Sequence, residues 1–329
     1  MPALRRALTA LLALGVVTTL LSLAGPTGAA RAAETQAVEY VALGDSYSSG
    51  TGTGSYLDDG TDCRRSPLAY PALVAAAGGY ELNHRACNGA TIPDVRAAQL
   101  DALSAATDKV SISIGGNDAG FVDVIVECAL PAWASDCAGA VSTANAFIRD
   151  TLPGRLASLY AEIRTRAPDA DVVVAGYPRL FMGEDCNAAT FFSPADEELL
   201  NGTADLLAQT IGRQAAAAGF DFADVIPAFV GHAVCDDQEW VNGFSAGDLP
   251  ASYHPNALGH ELGYTPLVSS PLTGSALDVT ASVLRAARAA APEQAERQRA
   301  YAAQDACIEP EPLPTRKELR RMAERRAER

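Results

Sequence analysis

Four residues spread along this chain carry groups suited to one reaction, attack of a nucleophile on a carbonyl and capture of the oxyanion that results. Ser46 closes the apolar β-type run Val41-Ala-Leu-Gly-Asp-Ser46, and Ser48, Ser49 and Gly50 follow it as small residues that let a backbone N–H approach. A hydroxyl delivered by a strand onto a Gly/Asp turn is well placed to attack. Such turns are common, so Ser46 gains its meaning from its partners. Asn117 ends a second β-branched run, Lys109-Val-Ser-Ile-Ser-Ile-Gly-Gly-Asn117, and is a neutral donor at another strand's edge. Gly89, within Ala86-Cys-Asn-Gly-Ala-Thr91, offers a backbone N–H with no side chain in the way. His254, within Ser252-Tyr-His-Pro-Asn256, supplies a base on a loop, with Pro255 expected at the first position of the helix that follows.

Regular elements must bring these residues together. Apolar runs at 38–43, 80–82, 110–114, 172–175 and 220–226 read as strands, and helical stretches fall at 67–77, 93–106, 140–166 and 194–218. Strand and helix alternate, which predicts a parallel sheet with helices on both faces and a ligand crevice at its carboxyl edge. Ser46 and Asn117 both emerge there.

Taken in order, Gly44-Asp45-Ser46, Gly89, Gly115-Gly116-Asn117-Asp118 and His254-Pro255 resemble the four blocks of the SGNH (GDSL-type) hydrolases, in particular the secreted esterases and lipases of actinobacteria. The resemblance implies an α/β fold, a three-layer αβα sandwich with a central parallel sheet of flavodoxin-like type. It further implies Ser46 as nucleophile, His254 as general base and acid, and an oxyanion hole made by the Ser46 N–H, the Gly89 N–H and the Asn117 amide. Asp45 and Asp118 are expected to hold turns.

The chain departs from the family in one place. Many members carry an acid three residues before the histidine, where this chain has Ala251. The imidazolium formed in catalysis still needs a partner on its other ring nitrogen. The backbone carbonyl of Ala251 is the expected partner, and Asp248 is the rival, with Leu249 and Pro250 stiffening the approach between them.

Residues 1–32 read as a signal peptide: Arg5 and Arg6, an apolar run from Ala7 to Ala24, then small residues ending in Ala30-Arg31-Ala32. A secreted, extracellular protein is therefore expected, without stable membrane insertion after signal removal. Six of the seven cysteines fall in the hydrolase region, where fifteen pairings are open. Chain order and the family resemblance favour Cys63–Cys87, Cys128–Cys137 and Cys186–Cys235, leaving Cys307 over. No cofactor and no metal are expected, since Cys-x-x-Cys and His/Cys clusters are lacking.

Charge divides the chain. Residues 33–284, the expected hydrolase domain, hold 32 acidic and 11 basic residues, whereas 285–329 hold 8 acidic and 11 basic. So acidic a domain repels nucleic acid and anionic lipid surfaces. The 285–329 segment is expected as a separate helical or disordered tail. His84, His232 and His260 lack metal-type spacing and read as packing or capping residues, while Trp133 and Phe191-Phe192 are candidates for an apolar rim around an acyl chain.

The reading is a monomeric secreted serine esterase or lipase acting on a small-molecule or lipid ester through an acyl-enzyme. A phospholipase, lysophospholipase or polysaccharide deacetylase of the same fold is the alternative within hydrolases. A non-catalytic glycan- or wall-binding module is the alternative of another class.

Overall fold

The computed structural model describes residues 37–309 and 316–327, so the expected signal peptide lies outside the described residues. Five strands, β1 (Glu39–Gly44), β2 (Glu81–His84), β3 (Lys109–Ser113), β4 (Asp171–Ala175) and β5 (Asp221–Ala223), form one sheet in the order β2-β1-β3-β4-β5. All neighbours run parallel. Runs such as Val172-Val-Val-Ala175 are buried throughout, as strands covered on both faces require. After β1 the chain moves out to β2 and returns on β1's other side as β3. Order reverses between β1 and β3, and the crevice above such a reversal is where open α/β sheets bind ligands.

Helices α1 (Ser46–Ser49), α2 (Tyr70–Gly78), α3 (Ile92–Asp94), α4 (Phe121–Cys128), α5 (Cys137–Asp150), α6 (Leu152–Arg166), α7 (Pro194–Ala217), α8 (Thr265–Thr273), α9 (Ala281–Arg299), α10 (Ala302–Asp305) and α11 (Arg316–Ala327) follow in chain order. Among them α2, α8 and α9 pack together on one side, and α5, α6 and α7 on the other, giving a three-layer αβα sandwich. Three disulfides join Cys63 to Cys87, Cys128 to Cys137 and Cys186 to Cys235, and Cys307 is free and exposed.

Several elements differ from expectation. The helix expected over 140–166 is two helices, α5 and α6, because Pro153 has no N–H to continue the first and is suited to opening the second. The helix expected over 93–106 is short: α3 widens into a π-turn, Val95–Gln99, and ends in a 3-10 turn, Leu100–Ala102. That wide turn carries Gln99, whose amide accepts from the Gly44 N–H at 2.7 Å and donates to the Gly44 carbonyl at 2.9 Å. Pro255 does not open a helix. It forms a bridge with Val241, and Asn256 caps the helical run beginning at 257 by accepting from the Gly259 N–H at 3.0 Å.

The largest correction concerns the C-terminal segment. A boundary at 284 would cut through α9, which lies along α2 and β2 with Ala287, Gln294, Ala295 and Gln298 buried. Beyond it α10 buries Asp305 between Arg65 and Arg85. Arginine-rich composition suggested a solvated tail. One stripe of small and amide side chains, and one acid matched to two buried guanidinium groups, instead tie residues up to 308 into the domain.

Candidate active site

Gly44 shapes the turn that presents Ser46. Its φ is +117°, a region open to glycine, and an added Cβ would stand 2.3 Å from the Ser113 carbonyl oxygen of β3. The close approach lets Asp45 N–H bond to that carbonyl at 3.0 Å. Asp45 then caps α1 by accepting from Tyr47 N–H at 3.0 Å. Its other carboxylate oxygen accepts from Tyr177 Oη, which in turn accepts from Gly116 N–H at 3.1 Å. Serine and asparagine blocks are thereby joined below the crevice. Burial raises the Asp45 carboxyl to about 7, opposed by the hydrogen bonds from Tyr177 and Tyr47.

Ser46 and His254 are brought together across 208 residues. His254 Nε2 lies 2.7 Å from Ser46 Oγ, and both residues are buried. The other ring nitrogen, Nδ1, lies 2.9 Å from the carbonyl oxygen of Ser252. A main-chain carbonyl orients the ring, but it belongs to Ser252 rather than Ala251. The Ala251 carbonyl instead accepts from Asn242 Nδ2 at 3.2 Å. A carbonyl two residues back reaches the ring because Tyr253 adopts a left-handed conformation, φ +59°, folding the chain back on itself. That conformation is held at both ends: Tyr253 N–H donates to Asn242 O at 2.9 Å, and Tyr253 O accepts from Tyr47 Oη at 2.8 Å. The rival acid is occupied elsewhere, since Asp248 pairs with Arg64 at 2.5 Å.

Burial is the main force on the imidazole and lowers His254 to about 4. The Ser252 carbonyl opposes that shift, the Arg64 charge adds to it and Asp248 partly offsets it. A ring neutral at pH 7, with a proton on Nδ1 facing a carbonyl, presents a free lone pair on Nε2 to the serine.

Asn117 lies with Ser46 on the wall of the same cavity. Its Nδ2 donates to the Ala90 carbonyl at 2.9 Å, which fixes the amide orientation and leaves a second N–H for another acceptor. That bond also ties Asn117 to the loop carrying Gly89, whose φ is +81°. Asp118 reinforces the tie, accepting from Ile92 N–H at 3.0 Å and facing Arg155 at 3.5 Å.

The cavity beside Ser46 has a volume of about 70 Å³. Its walls are apolar, with Phe121, Val124 and Ile125 from α4, Ile148 from α5 and Leu200 and Leu207 from α7. Trp133 and Phe191 are exposed and do not line it, and Phe192 packs in the core against Phe181 and Tyr253. The remaining histidines have structural partners: His84 Nε2 lies 3.0 Å from Ser48 O, His260 Nδ1 accepts from Tyr70 N–H at 3.2 Å, and His232 stacks on Trp240. Tyr47, Tyr177, Asn242 and Tyr253 escaped the sequence reading. Tyr47 and Tyr253 stand beside the serine and the histidine, but a residue's type carries no local signal of what its side chain reaches in space.

Comparison with known proteins adds four matches. The model of the GDSL-like Lipase/Acylhydrolase family matches residues 42–262. A lipase of Streptomyces rimosus is 44% identical over 270 residues, covering 81% of this chain and 98% of the relative. Among solved structures, phospholipase A1 from Streptomyces albidoflavus NA297 is 45% identical with a TM-score of 0.68, covering 71% of this chain and 99% of that one. An extracellular lipase from Streptomyces rimosus, at 42% identity and the same TM-score, covers 71% of this chain and all of its own.

Proposed function

Because this chain belongs to the GDSL-like lipase/acylhydrolase family, we propose that it is a secreted carboxylic ester hydrolase in which Ser46 is the nucleophile and His254 the general base and acid. The observation that carries the reading is the 2.7 Å contact between Ser46 Oγ and His254 Nε2, with Ser46 on the wall of an apolar cavity. His254 Nε2 takes the serine proton as Oγ attacks the ester carbonyl carbon. The developing oxyanion is received by the Ser46 N–H, the Gly89 N–H and the second N–H of Asn117. As the tetrahedral intermediate collapses, the C–O bond to the alcohol breaks and His254 returns the proton to the departing oxygen. Water, deprotonated by His254, then attacks the acyl carbon, the bond from that carbon to Ser46 Oγ breaks, and His254 returns the proton to Oγ as the carboxylic acid leaves. In both steps the Ser252 carbonyl accepts from the Nδ1–H of the imidazolium, the task a carboxylate has in a triad.

An apolar wall formed by α4, α5 and α7 suits an aliphatic acyl chain better than the acetyl groups of a glycan. A second reading, in which the ester is an acyl ester of a phospholipid, is favoured by the 45% identity to a phospholipase A1. Turnover of the mature protein on esters from acetyl to long-chain, with phospholipids and acetylated glycans alongside, tests the reading. Hydrolysis that rises beyond acetyl and vanishes in Ser46→Ala is the expected result. Acetylated glycan as the best substrate, or an active Ser46→Ala, overturns it.

A further inference from the structure

Two guanidinium groups, Arg65 and Arg85, are wholly buried behind the loop that carries Gly89, an uncommon expense for two like charges. Arg65 grips that loop at its root. Its Nε donates to the Ala86 carbonyl at 3.0 Å and its Nη2 to the Arg85 carbonyl at 3.3 Å. Arg85 reaches the other way, donating to the Ala98 carbonyl at 2.5 Å on the π-turn that holds Gln99 against Gly44. Beside the Cys63–Cys87 disulfide and the Cys87 N–H bond to Gly44 O, these two side chains thus brace both the root of the Gly89 loop and the turn that holds Gln99.

Two acids balance them. Asp59 meets Arg65 at 2.9 Å, and Asp305 of α10 spans the pair, meeting Arg65 Nη2 at 2.8 Å and Arg85 Nη2 at 3.0 Å. Asp305 is itself wholly buried and lies beyond the residues matched by the family model. Gln298 of α9 adds a contact to Arg85 Nη1 at 3.1 Å, and the ring of Tyr301 covers the Arg85 guanidinium at 3.8 Å. Without Asp305, Arg65 would keep Asp59 and Arg85 only the longer-range charge of Asp101, and mutual repulsion would act on the side chains that hold Ala86 and Ala98.

We infer that Asp305 is a positioning residue for ester hydrolysis: through Arg65 and Arg85, the C-terminal α9–α10 segment sets the place of the Gly89 N–H relative to Ser46. The inference rests on the proposed roles of Ser46 and Gly89. It assigns a share of transition-state stabilisation to a segment that touches no substrate.

The experiment compares the parent with Asp305→Asn, which keeps the shape and loses the charge, and with Arg65→Lys, which keeps the charge but cannot reach the acids and both loop carbonyls at once. Active sites are counted by titration with a fluorophosphonate, and kcat and KM on a short-chain ester are expressed per titrated site. Each variant should lose about tenfold to a hundredfold in kcat with KM within about twofold, because the hole acts on charge present only in the transition state. A merely structural role would lower the titratable fraction and the thermal midpoint while leaving turnover per site at the parent level, and that result overturns the inference. It falls equally if neither variant yields folded protein, since the segment is then a stability element. Ser46→Ala in the same assay separates the two levels: activity there means that the reading of Ser46 has failed, whatever Asp305 does.

Discussion

Ser46 and Asn117 on one side, and His254 on the other, are held in place by different means. The first two stand just past the ends of β1 and β3, which are neighbours in register with Gly44 opposite Ser113. Sheet hydrogen bonds and glycine geometry fix where they emerge. His254 stands in a stretch, 230–256, with little regular structure, and its place depends on the Val241–Pro255 bridge beside it, a left-handed tyrosine and the Asn242 clamp. Asn242 Nδ2 joins that stretch to the serine side, donating to Gly52 O at 2.9 Å as well as to Ala251 O. A ladder positions residues through a repeating pattern. A loop positions them through individual carbonyls.

Variants can break or sharpen this contrast. Ser46→Ala and His254→Ala should each lower kcat by on the order of 10⁴-fold or more, equally on both sides, because groups that act as one unit fail together. Steady-state turnover of folded protein reads this, and a His254→Ala variant with near-parental activity would remove the loop side from the chemistry. Asn117→Ala should cost about a hundredfold to a thousandfold in kcat with a smaller change in KM, since its free N–H faces charge that develops only in the transition state. A change confined to KM would make it a substrate-recognition residue.

Below pH 5, well under the value of about 7 for Asp45, the pH profile tests the loop side. With His254 lowered to about 4, the base is neutral above that pH, so kcat/KM should fall about tenfold between pH 5 and pH 3. The sign for stability is the same. Because the folded pKa lies below the ordinary 6.5, the buried neutral ring stabilises the fold fully above 6.5, and that contribution is lost as pH falls towards 4. Circular dichroism at each pH separates the two losses, and a fall of about a hundredfold over the same span in folded protein, as a ring of ordinary pKa would give, contradicts the buried geometry.

The smallest effect expected is the most informative about the loop. Asp248→Asn should leave kcat within about threefold of the parent, because the Ser252 carbonyl that orients the ring is untouched by a side-chain change. A loss of about a thousandfold would restore a side-chain triad with Asp248 as its acid.

Legibility in the sequence follows the same division. The five strands were readable within a few residues because buried parallel strands are unbroken apolar runs, and the blocks around Ser46 and Asn117 were readable because glycine must stand where the backbone turns sharply. The carbonyl facing His254 was missed by one residue. Every residue offers the same carbonyl, and which one faces the ring is set by φ at Tyr253, a value that side-chain identity does not announce. Asp305 was hidden for another reason: its partners are 220 and 240 positions away, and an acid among arginines reads as a surface charge until the fold removes it from water.

The three disulfides have a consequence for how the molecule is made. None is interleaved with another: each cysteine's partner is the next one along the chain, with separations of 24, 9 and 49 residues. A chain delivered N-terminus first into an oxidising space would present both thiols of each pair before the first thiol of the next arrives. Pairing in order of arrival then reaches the native connectivity out of fifteen, with no exchange step needed to correct it. Cys307 comes last in the chain, and its exposed thiol is the one cysteine sulfur left without a bridge.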